Sequence, residues 1–275
     1  MANWLKRLFG GGGPVIPVVR LQGVIASEPR PGRLNIASVA PLLKRAFAIK
    51  SAPAVAIIVN SPGGSPVQSR LIAKRIRDLA DETGKPVLVF VEDAAASGGY
   101  FIATAGDEII ADPSSIVGSI GVIFAGFGFV EALEKLGVER RVHTAGRNKS
   151  TLDPFLPEKA EDVERIKRLE TDIYDVFVGW VKQRRAGKLT APDDELFTGE
   201  FWSGQRGLGL GLVDAVGDLR SVLQGRYGNK IELKVIAPKR PLLSLPGLGF
   251  PTQINFGDDL IAAAEDRTVW SRIGL

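Results

Sequence analysis

Residues 54–66 read AVAIIVNSPGGSP, and residues 86–100 read PVLVFVEDAAASGGY. Each stretch is a short apolar run that ends in small or polar residues and a pair of glycines. This is the pattern of a strand that is buried on both faces and leads into a helix. Ser65 and Pro66 have the residue types of a helix N-cap and of the first helical position. Two such strand-to-helix junctions predict an α/β protein with a mostly parallel sheet.

The same alternation of strands and helices continues on both sides of these junctions. Further strands are predicted over residues 15–25, 108–111, 118–124 and 139–144, and helices over residues 36–47, 66–80, 100–105 and 130–136. Residues 157–185 form the longest pattern, with apolar residues recurring at a period of 3.6, acidic residues early and Arg184 and Arg185 late. This pattern predicts one long amphipathic helix.

The domain organisation follows from the composition along the chain. Residues 1–14 are interpreted as a flexible leader, residues 15–236 as one folded domain, and residues 237–275 as a Pro/Gly-rich tail with a short helix over 258–270. Residues 1–9 carry Lys6 and Arg7 and pass directly into four glycines, so no apolar region follows and no signal peptide is expected. The uncharged residues 113–130 contain four glycines and are too short for a spanning helix. We therefore expect a cytoplasmic protein with at most peripheral contact at the inner face of the membrane.

The composition excludes several classes of function. The 275 residues carry 35 Lys and Arg against 31 Asp and Glu, and this net charge of +4 is not clustered enough to predict a nucleic-acid partner. With no cysteine and one histidine, His143, the chain lacks the residues for a thiol nucleophile or a two-histidine metal site. No phosphate-binding loop, dinucleotide fingerprint or G-x-S-x-G motif is present. We expect no metal and no cofactor.

Chemistry is predicted where the two glycine-containing junctions meet at the carboxyl end of the sheet. Glycines leave backbone N–H groups uncovered, and helix starts add unpaired donors, so the two turns together can form an oxyanion hole. The alternative is that both are tight packing turns. Ser97 in the second turn needs a base. His143 is the only imidazole, and the alternative candidate is Lys149 in the polar stretch TAGRNKS. The alternative for Lys149 is a solvated loop lysine.

Three ordered motifs together resemble the signal peptide peptidase A family of serine-lysine peptidases. They are NSPGGSP, AAASGGYFIATAGDEIIADPSSIVGSIGV and AGRNKS. The resemblance implies a ClpP/crotonase-like spiral of repeated ββα units that uses no cofactor. Ser97 matches the nucleophile of this family, Lys149 the general base, and Ser119 the serine bonded to that lysine. The matching oxyanion donors are the N–H groups of Gly63 or Gly64 and of Gly98.

The resemblance also implies partners and substrates. Family members form homo-oligomeric rings and cleave residual signal peptides or other unfolded peptides without ATP. We expect Gly121, Val122 and Ile123 to line the substrate groove, since their glycine-rich, apolar context suits an extended apolar peptide. Two alternatives stay open at this point. They are a crotonase-like acyl-CoA enzyme, which needs a CoA site and an acidic catalytic residue, and a catalytically idle scaffold beside membrane proteins.

Overall fold

The computed structural model describes residues 13–30, 32–238 and 256–275. Most of the predicted leader and residues 239–255 of the tail lie outside the described residues. The elements are β1 (Val15–Gln22), β2 (Val24–Ile25), β3 (Arg33–Leu34), α1 (Ile36–Phe47), β4 (Val55–Ser61), α2 (Pro66–Thr83), β5 (Val87–Ala96), α3 (Gly98–Ala103), β6 (Glu108–Ala111), β7 (Ile116–Gly118), α4 (Val130–Leu136), α5 (Ala160–Arg184), α6 (Asp193–Leu196), β8 (Phe201–Ser203), α7 (Gly204–Gly209), β9 (Ala215–Val216), α8 (Leu219–Tyr227), β10 (Glu232–Val235) and α9 (Phe256–Ser271). The predicted α/β class is confirmed.

The main sheet runs in the order β10-β1-β4-β5-β6-β9, and neighbouring strands along this path are parallel. All seven residues of β4 are buried, as its continuous apolar run predicts. Strand β7 extends the sheet from the end of β5, and the short β8 pairs with it in the antiparallel direction. The carboxyl ends of β4, β5 and β7 therefore meet at one edge region, where both glycine-containing junctions lie.

Helix α5 is fixed to the helix that follows the second junction. The indole N–H of Trp180 donates to Thr104 Oγ1 at 2.9 Å, and its ring stacks on Phe101 with the centroids 5.5 Å apart. Phe177 and Val181 are buried in the same contact. Leu169, which shares the predicted apolar stripe, is 53% exposed. Only the second half of the long helix is packed against the core, and it thereby holds the start of α3 in place.

Two predicted strands are wrong. Strand β7 ends at Gly118, because Ser119 has φ 51° and turns the chain out of the extended conformation, so residues 119–124 are not a strand. Residues 139–144 have no regular structure, and all six are exposed. A strand needs a neighbouring strand to satisfy its backbone hydrogen bonds, and this segment forms no strand pairing with the described residues.

A buried ion pair closes the packing between α5 and β9. Arg185, whose side chain is 2% exposed, donates to Asp214 Oδ2 at 2.6 Å and to the Gly211 carbonyl. Lys188 Nζ lies 2.7 Å from the other oxygen of Asp214. Burial alone raises the pKa of Asp214, but hydrogen bonds from Arg185, Lys188 and the Ile109 N–H outweigh it, and the pKa lies below its ordinary value.

We predict that Asp214→Asn lowers the free energy of unfolding by about 3 to 5 kcal/mol near neutral pH, because it leaves the Arg185 charge buried without its partner. The pKa of Asp214 is lowered in the folded state, so the ionised carboxylate stabilises the fold at any pH above its unfolded-state pKa of about 3.9. This stabilisation is lost as the pH falls through the folded-state pKa. Urea titrations should show that the difference in free energy of unfolding between the wild type and Asp214→Asn shrinks below about pH 4.

The matched control is Asp193→Asn, which removes an exposed carboxylate of α6 from its pair with Lys182 of α5. Its effect should stay below about 1 kcal/mol. Equal stability of the two variants at neutral pH would show that the buried pair does not hold the fold.

Candidate active site

Ser97 occupies a strained turn between β5 and α3. Its φ of 51° and ψ of −120° are rare for a residue with a side chain, and such strain is found where the surrounding structure imposes it. The Ser97 N–H donates to the Gly118 carbonyl at 2.8 Å, and the Ser97 carbonyl accepts from the Phe101 N–H at 2.9 Å. These two bonds hold the turn, and the side chain stays half-buried at the carboxyl end of the sheet.

The first glycine junction passes directly against this turn. A β-carbon on Gly63 would lie 2.8 Å from Ser97 Cβ and 2.9 Å from the backbone nitrogen of Gly98. A β-carbon on Gly98 would in turn lie 3.4 Å from the nitrogen of Gly64. The structure therefore brings Ser97, Gly63, Gly64 and Gly98 together, and the two backbones approach so closely that only glycine fits.

The N–H groups at this contact differ in what they bind. The Gly63 N–H donates to Ser61 Oγ at 3.2 Å. Among the described residues, the N–H groups of Gly64 and Gly98 have no hydrogen-bond acceptor. The loop is held from the other side by β2, since the Ile25 N–H donates to the Gly63 carbonyl at 2.8 Å and the Ser65 N–H to the Ile25 carbonyl at 2.7 Å. The arrangement leaves two adjacent donors for an incoming oxygen.

Ser119 occupies the position equivalent to Ser97 on the neighbouring strand. Strands β5 and β7 are paired as far as Ala96 and Gly118, so the next residue of each strand is a serine, and both serines have φ 51°. Paired strands are about 4.8 Å apart, so the structure places Ser119 beside Ser97. The Ser119 N–H donates to the Glu200 carbonyl at 2.7 Å. Ser119 as a whole is half-exposed.

A small apolar cavity of about 40 Å³ opens beside Ser97. Of the three predicted groove residues it includes Val122, whereas Gly121 is half-buried elsewhere and Ile123 is 68% exposed. Its walls come from the two glycine junctions and from helix α5, and comprise Gly64, Pro66, Ser69, Ser97, Gly98, Phe101, Val122, Ile173, Val176 and Phe177. The sequence pattern places Ile173 and Phe177 in an amphipathic core stripe and does not single out Val176, so it missed that all three line the cavity beside Ser97. The period of 3.6 was the available signal.

A larger cavity of about 560 Å³ lies between residues 124–130 and the first half of α5. It contains neither Ser97 nor either of the two free N–H groups, so its size does not make it the reaction site. Phe124 contributes to its rim, and the Phe124 N–H donates to Glu170 Oε1 at 2.7 Å. This cavity belongs to the exposed segment that begins after Val122.

Lys149 lies in a turn as predicted, but its side chain is exposed and has no hydrogen bond or ion pair with the described residues. The following segment is attached to the start of α5, where the Leu152 N–H donates to Asp162 Oδ2 at 3.4 Å. The residues of α5 beside Ser97 begin at Ile173, about 16 Å farther along the helix. In the described chain Lys149 forms no hydrogen bond with Ser97 and does not line the cavity beside it. His143 is also exposed.

The family model of peptidase family S49 matches residues 80–227, which include both serines and Lys149. The chain belongs to this family. The resemblance to signal peptide peptidase A is thereby confirmed at the level of the family.

Of two relatives, one is named as a protease and the other as an antiporter. The chain is 30% identical over 262 residues to the chloroplastic serine protease SPPA of Arabidopsis thaliana, covering 90% of this chain and 37% of that protein. It is 59% identical over 273 residues to a Brucella abortus protein named Na(+)/H(+) antiporter NhaA, covering 94% of this chain and 37% of that protein. The chain therefore spans about 37% of the length of each relative. Most of the protein named as an antiporter lies outside the aligned region.

The fold is similar to that of the 1510-N membrane-bound stomatin-specific protease, solved as a lysine-to-alanine mutant in complex with a substrate peptide. The TM-score is 0.52 at 18% identity, and the match covers 92% of this chain and 99% of the other. The expected ClpP/crotonase-like fold is confirmed. Within the part of the chain that the structure describes, no helix is both long and apolar enough to cross a membrane.

We predict that Gly63→Ala abolishes labelling of Ser97 by a fluorophosphonate probe. The added carbon would collide with Ser97 Cβ, and the φ of 106° at this position disfavours any side chain. The control is Gly225→Ala in helix α8, where a β-carbon meets no atom within 4 Å. This control should label at the wild-type rate and melt slightly higher, because alanine favours a helix. Full labelling of folded Gly63→Ala would refute the close approach.

Proposed function

We propose that the protein is an ATP-independent serine endopeptidase with Ser97 as its nucleophile. The observation that supports this most directly is the strained Ser97 turn beside the two N–H groups of Gly64 and Gly98, neither of which has another acceptor among the described residues. A serine at the carboxyl end of a sheet, next to two unpaired backbone donors, has the parts needed to attack a carbonyl and hold the resulting oxyanion.

In the proposed reaction, the neutral Lys149 amine takes the proton from Ser97 Oγ as this oxygen attacks the peptide carbonyl. The tetrahedral oxyanion accepts hydrogen bonds from Gly64 and Gly98, and each such donor is worth about 3 to 4 kcal/mol. The lysine ammonium then gives its proton to the leaving amine, and the acyl group stays on Ser97. Water, deprotonated by the same lysine, hydrolyses this ester. Ser119 is proposed to orient the lysine amine by a hydrogen bond.

We propose further that Lys149 acts on Ser97 of a neighbouring copy in a homo-oligomeric ring. Support comes from the segment that carries it. Helix α4 has no buried residue, and Phe124, Phe127 and Leu136 are more than half exposed. Such a concentration of exposed apolar side chains marks a surface that another chain covers. Docking this segment on a second copy would bury these residues and carry Lys149 to a Ser97 that its own chain does not reach.

The proposed substrates are unfolded, apolar-rich peptides, including residual signal peptides. The cavity beside Ser97 has a volume of about 40 Å³ and walls of Phe101, Val122, Ile173, Val176 and Phe177. A space of this size holds about three water molecules, so it fits a small side chain. Because its walls are apolar, it accepts an apolar side chain better than a charged one. An extended peptide is also required, because a folded chain cannot present its backbone to donors that lie in a narrow turn.

We predict that Ser97→Ala and Lys149→Ala each lower peptide cleavage by at least about 10³-fold, whereas His143→Ala keeps most of the activity. His143 is the control because it is another exposed basic residue of the same segment. Since an amine accepts a proton only as the free base, the rate should rise from about pH 6 to about pH 9. An inactive His143→Ala beside an active Lys149→Ala would show that the base is misassigned.

Mixing the two inactive variants tests the shared site. If the dyad forms between copies, Ser97→Ala and Lys149→Ala chains together should regain part of the wild-type activity, because some sites pair an intact serine with an intact lysine. Each variant alone stays inactive at the same total concentration. Absence of any recovery in a mixed oligomer, verified by mass, would contradict a dyad formed between copies.

The cavity beside Ser97 is tested by Val176→Asp, which places a carboxylate on its wall. We predict that kcat/KM for a Leu/Ala-rich peptide falls at least about tenfold. Placing an apolar side chain beside a charge lowers the binding free energy of the transition state by about 1.4 kcal/mol or more. Leu169→Asp is the matched control, because Leu169 is equally exposed on the same helix and lies outside the cavity. Equal losses in the two variants would exclude this cavity as the subsite.

A further inference from the structure

The C-terminal helix α9 contacts the body of the protein through an ion pair with β3. Arg33 Nε donates to Asp266 Oδ1 at 3.0 Å, and a second guanidinium nitrogen lies 3.1 Å from Glu265 Oε2. The Arg33 side chain is only 9% exposed, although it is charged. A nearly buried guanidinium that binds two carboxylates forms a stronger and more directional contact than an ordinary surface pair.

Arg33 is linked through two short strands to the Gly63 turn. Strand β3 pairs with β2, with Val24 opposite Arg33 and Ile25 opposite Leu34. Ile25 in turn holds the glycine loop through the hydrogen bonds to the Gly63 carbonyl and from the Ser65 N–H. The anchoring point of α9 is therefore one strand away from the donor at Gly64.

The residues that follow α9 reach the strand that carries the nucleophile. Ile273 is 5% exposed and packs with Ala94 and Ala96, both fully buried, together with Trp270 of α9. Ala96 directly precedes Ser97 and is paired with Gly118. The same short C-terminal segment thus contacts the strand that leads to Ser97 directly. It reaches the junction that supplies the Gly64 donor indirectly, through β3 and β2.

We propose that α9 is a positioning clamp for the active site, with Arg33 as its positioning residue. This inference rests on the proposed peptidase function. The two junctions approach within contact distance at Gly63 and Ser97, so a shift of a few tenths of an ångström between them changes the distance from the nucleophile to the oxyanion donors. The clamp ties β3, and through it β2, to β5 and limits that shift. Catalytic geometry is sensitive on this scale, and misplacement by about 1 Å can cost about 10²-fold in rate.

The test is the double variant Glu265→Gln/Asp266→Asn, which removes the two carboxylates that bind Arg33 and leaves every cavity residue in place. We expect kcat to fall at least about tenfold and KM to change less than about twofold, because the clamp acts on the reacting geometry and not on the substrate cavity. The rate of fluorophosphonate labelling at Ser97 should fall with kcat. Asp266→Glu keeps the charge and should retain kcat within about threefold.

The matched control is Glu108→Gln, which breaks the Arg226–Glu108 ion pair between β6 and α8 by the same carboxylate-to-amide change. It should leave kcat unchanged. Ile273→Ala provides a second test of the clamp at its other contact and should also lower kcat.

The outcomes separate the clamp from the peptidase function. If wild-type protein cleaves no peptide and Ser97 does not label, the proposed function fails. If wild-type protein is active and both folded clamp variants keep its kcat and labelling rate, the clamp alone is overturned. A fall in melting temperature without a fall in kcat would also overturn it, because α9 would then stabilise the fold without positioning Ser97.

Discussion

The whole site depends on one close approach between two backbones. Gly63 passes the Ser97 turn with no room for a β-carbon, and this contact sets where the Gly64 and Gly98 N–H groups point relative to the nucleophile. The surrounding contacts fix the positions of the two turns relative to each other. Strand β2 bonds to the first turn, the Gly118 carbonyl to the second, and helix α5 packs its Phe177 and Trp180 against the helix that follows Ser97. Parallel strands that end at one edge make such a meeting possible, because their carboxyl ends lie side by side.

Most of this arrangement could be predicted from local sequence signals. The run AVAIIVN is buried along its whole length in β4, Ser65 caps α2 by accepting from the Gln68 N–H, and helix α4 has the predicted bounds, Val130–Leu136. These features are determined by neighbours in the chain, namely an apolar run, a capping hydroxyl followed by proline, and a glycine after a helix. The positions of Ser97, Gly63, Gly64 and Gly98 follow from the same signals, since each terminates a strand or begins a helix.

The features that could not be predicted depend on contacts distant in the chain. Residues 139–144 are predicted as a strand, yet they pair with no described strand, and the sequence of a segment does not reveal whether a partner strand exists. Residues 119–124 depart from strand geometry because Ser119 takes a positive φ, a conformation that its residue type does not announce. The long helix has one continuous apolar stripe, but its first half, with Leu169 exposed, has no core beneath it. Which part of an amphipathic helix is covered depends on tertiary packing.

The division between a buried half and an exposed half bears directly on the proposed chemistry. Ser97 and the two N–H donors lie on strands and turns whose neighbours are buried, so their geometry is set by the fold of a single chain. Lys149 lies on a segment with little buried surface of its own, so its position is not set in the same way. A serine without a base is a poor nucleophile. In the proposed enzyme, an isolated chain therefore holds a prepared but inactive serine, and cleavage begins only when the exposed segment packs against another copy. Assembly would then limit where peptide bonds are cut, and the exposed phenylalanines would contribute to regulation as well as to contact.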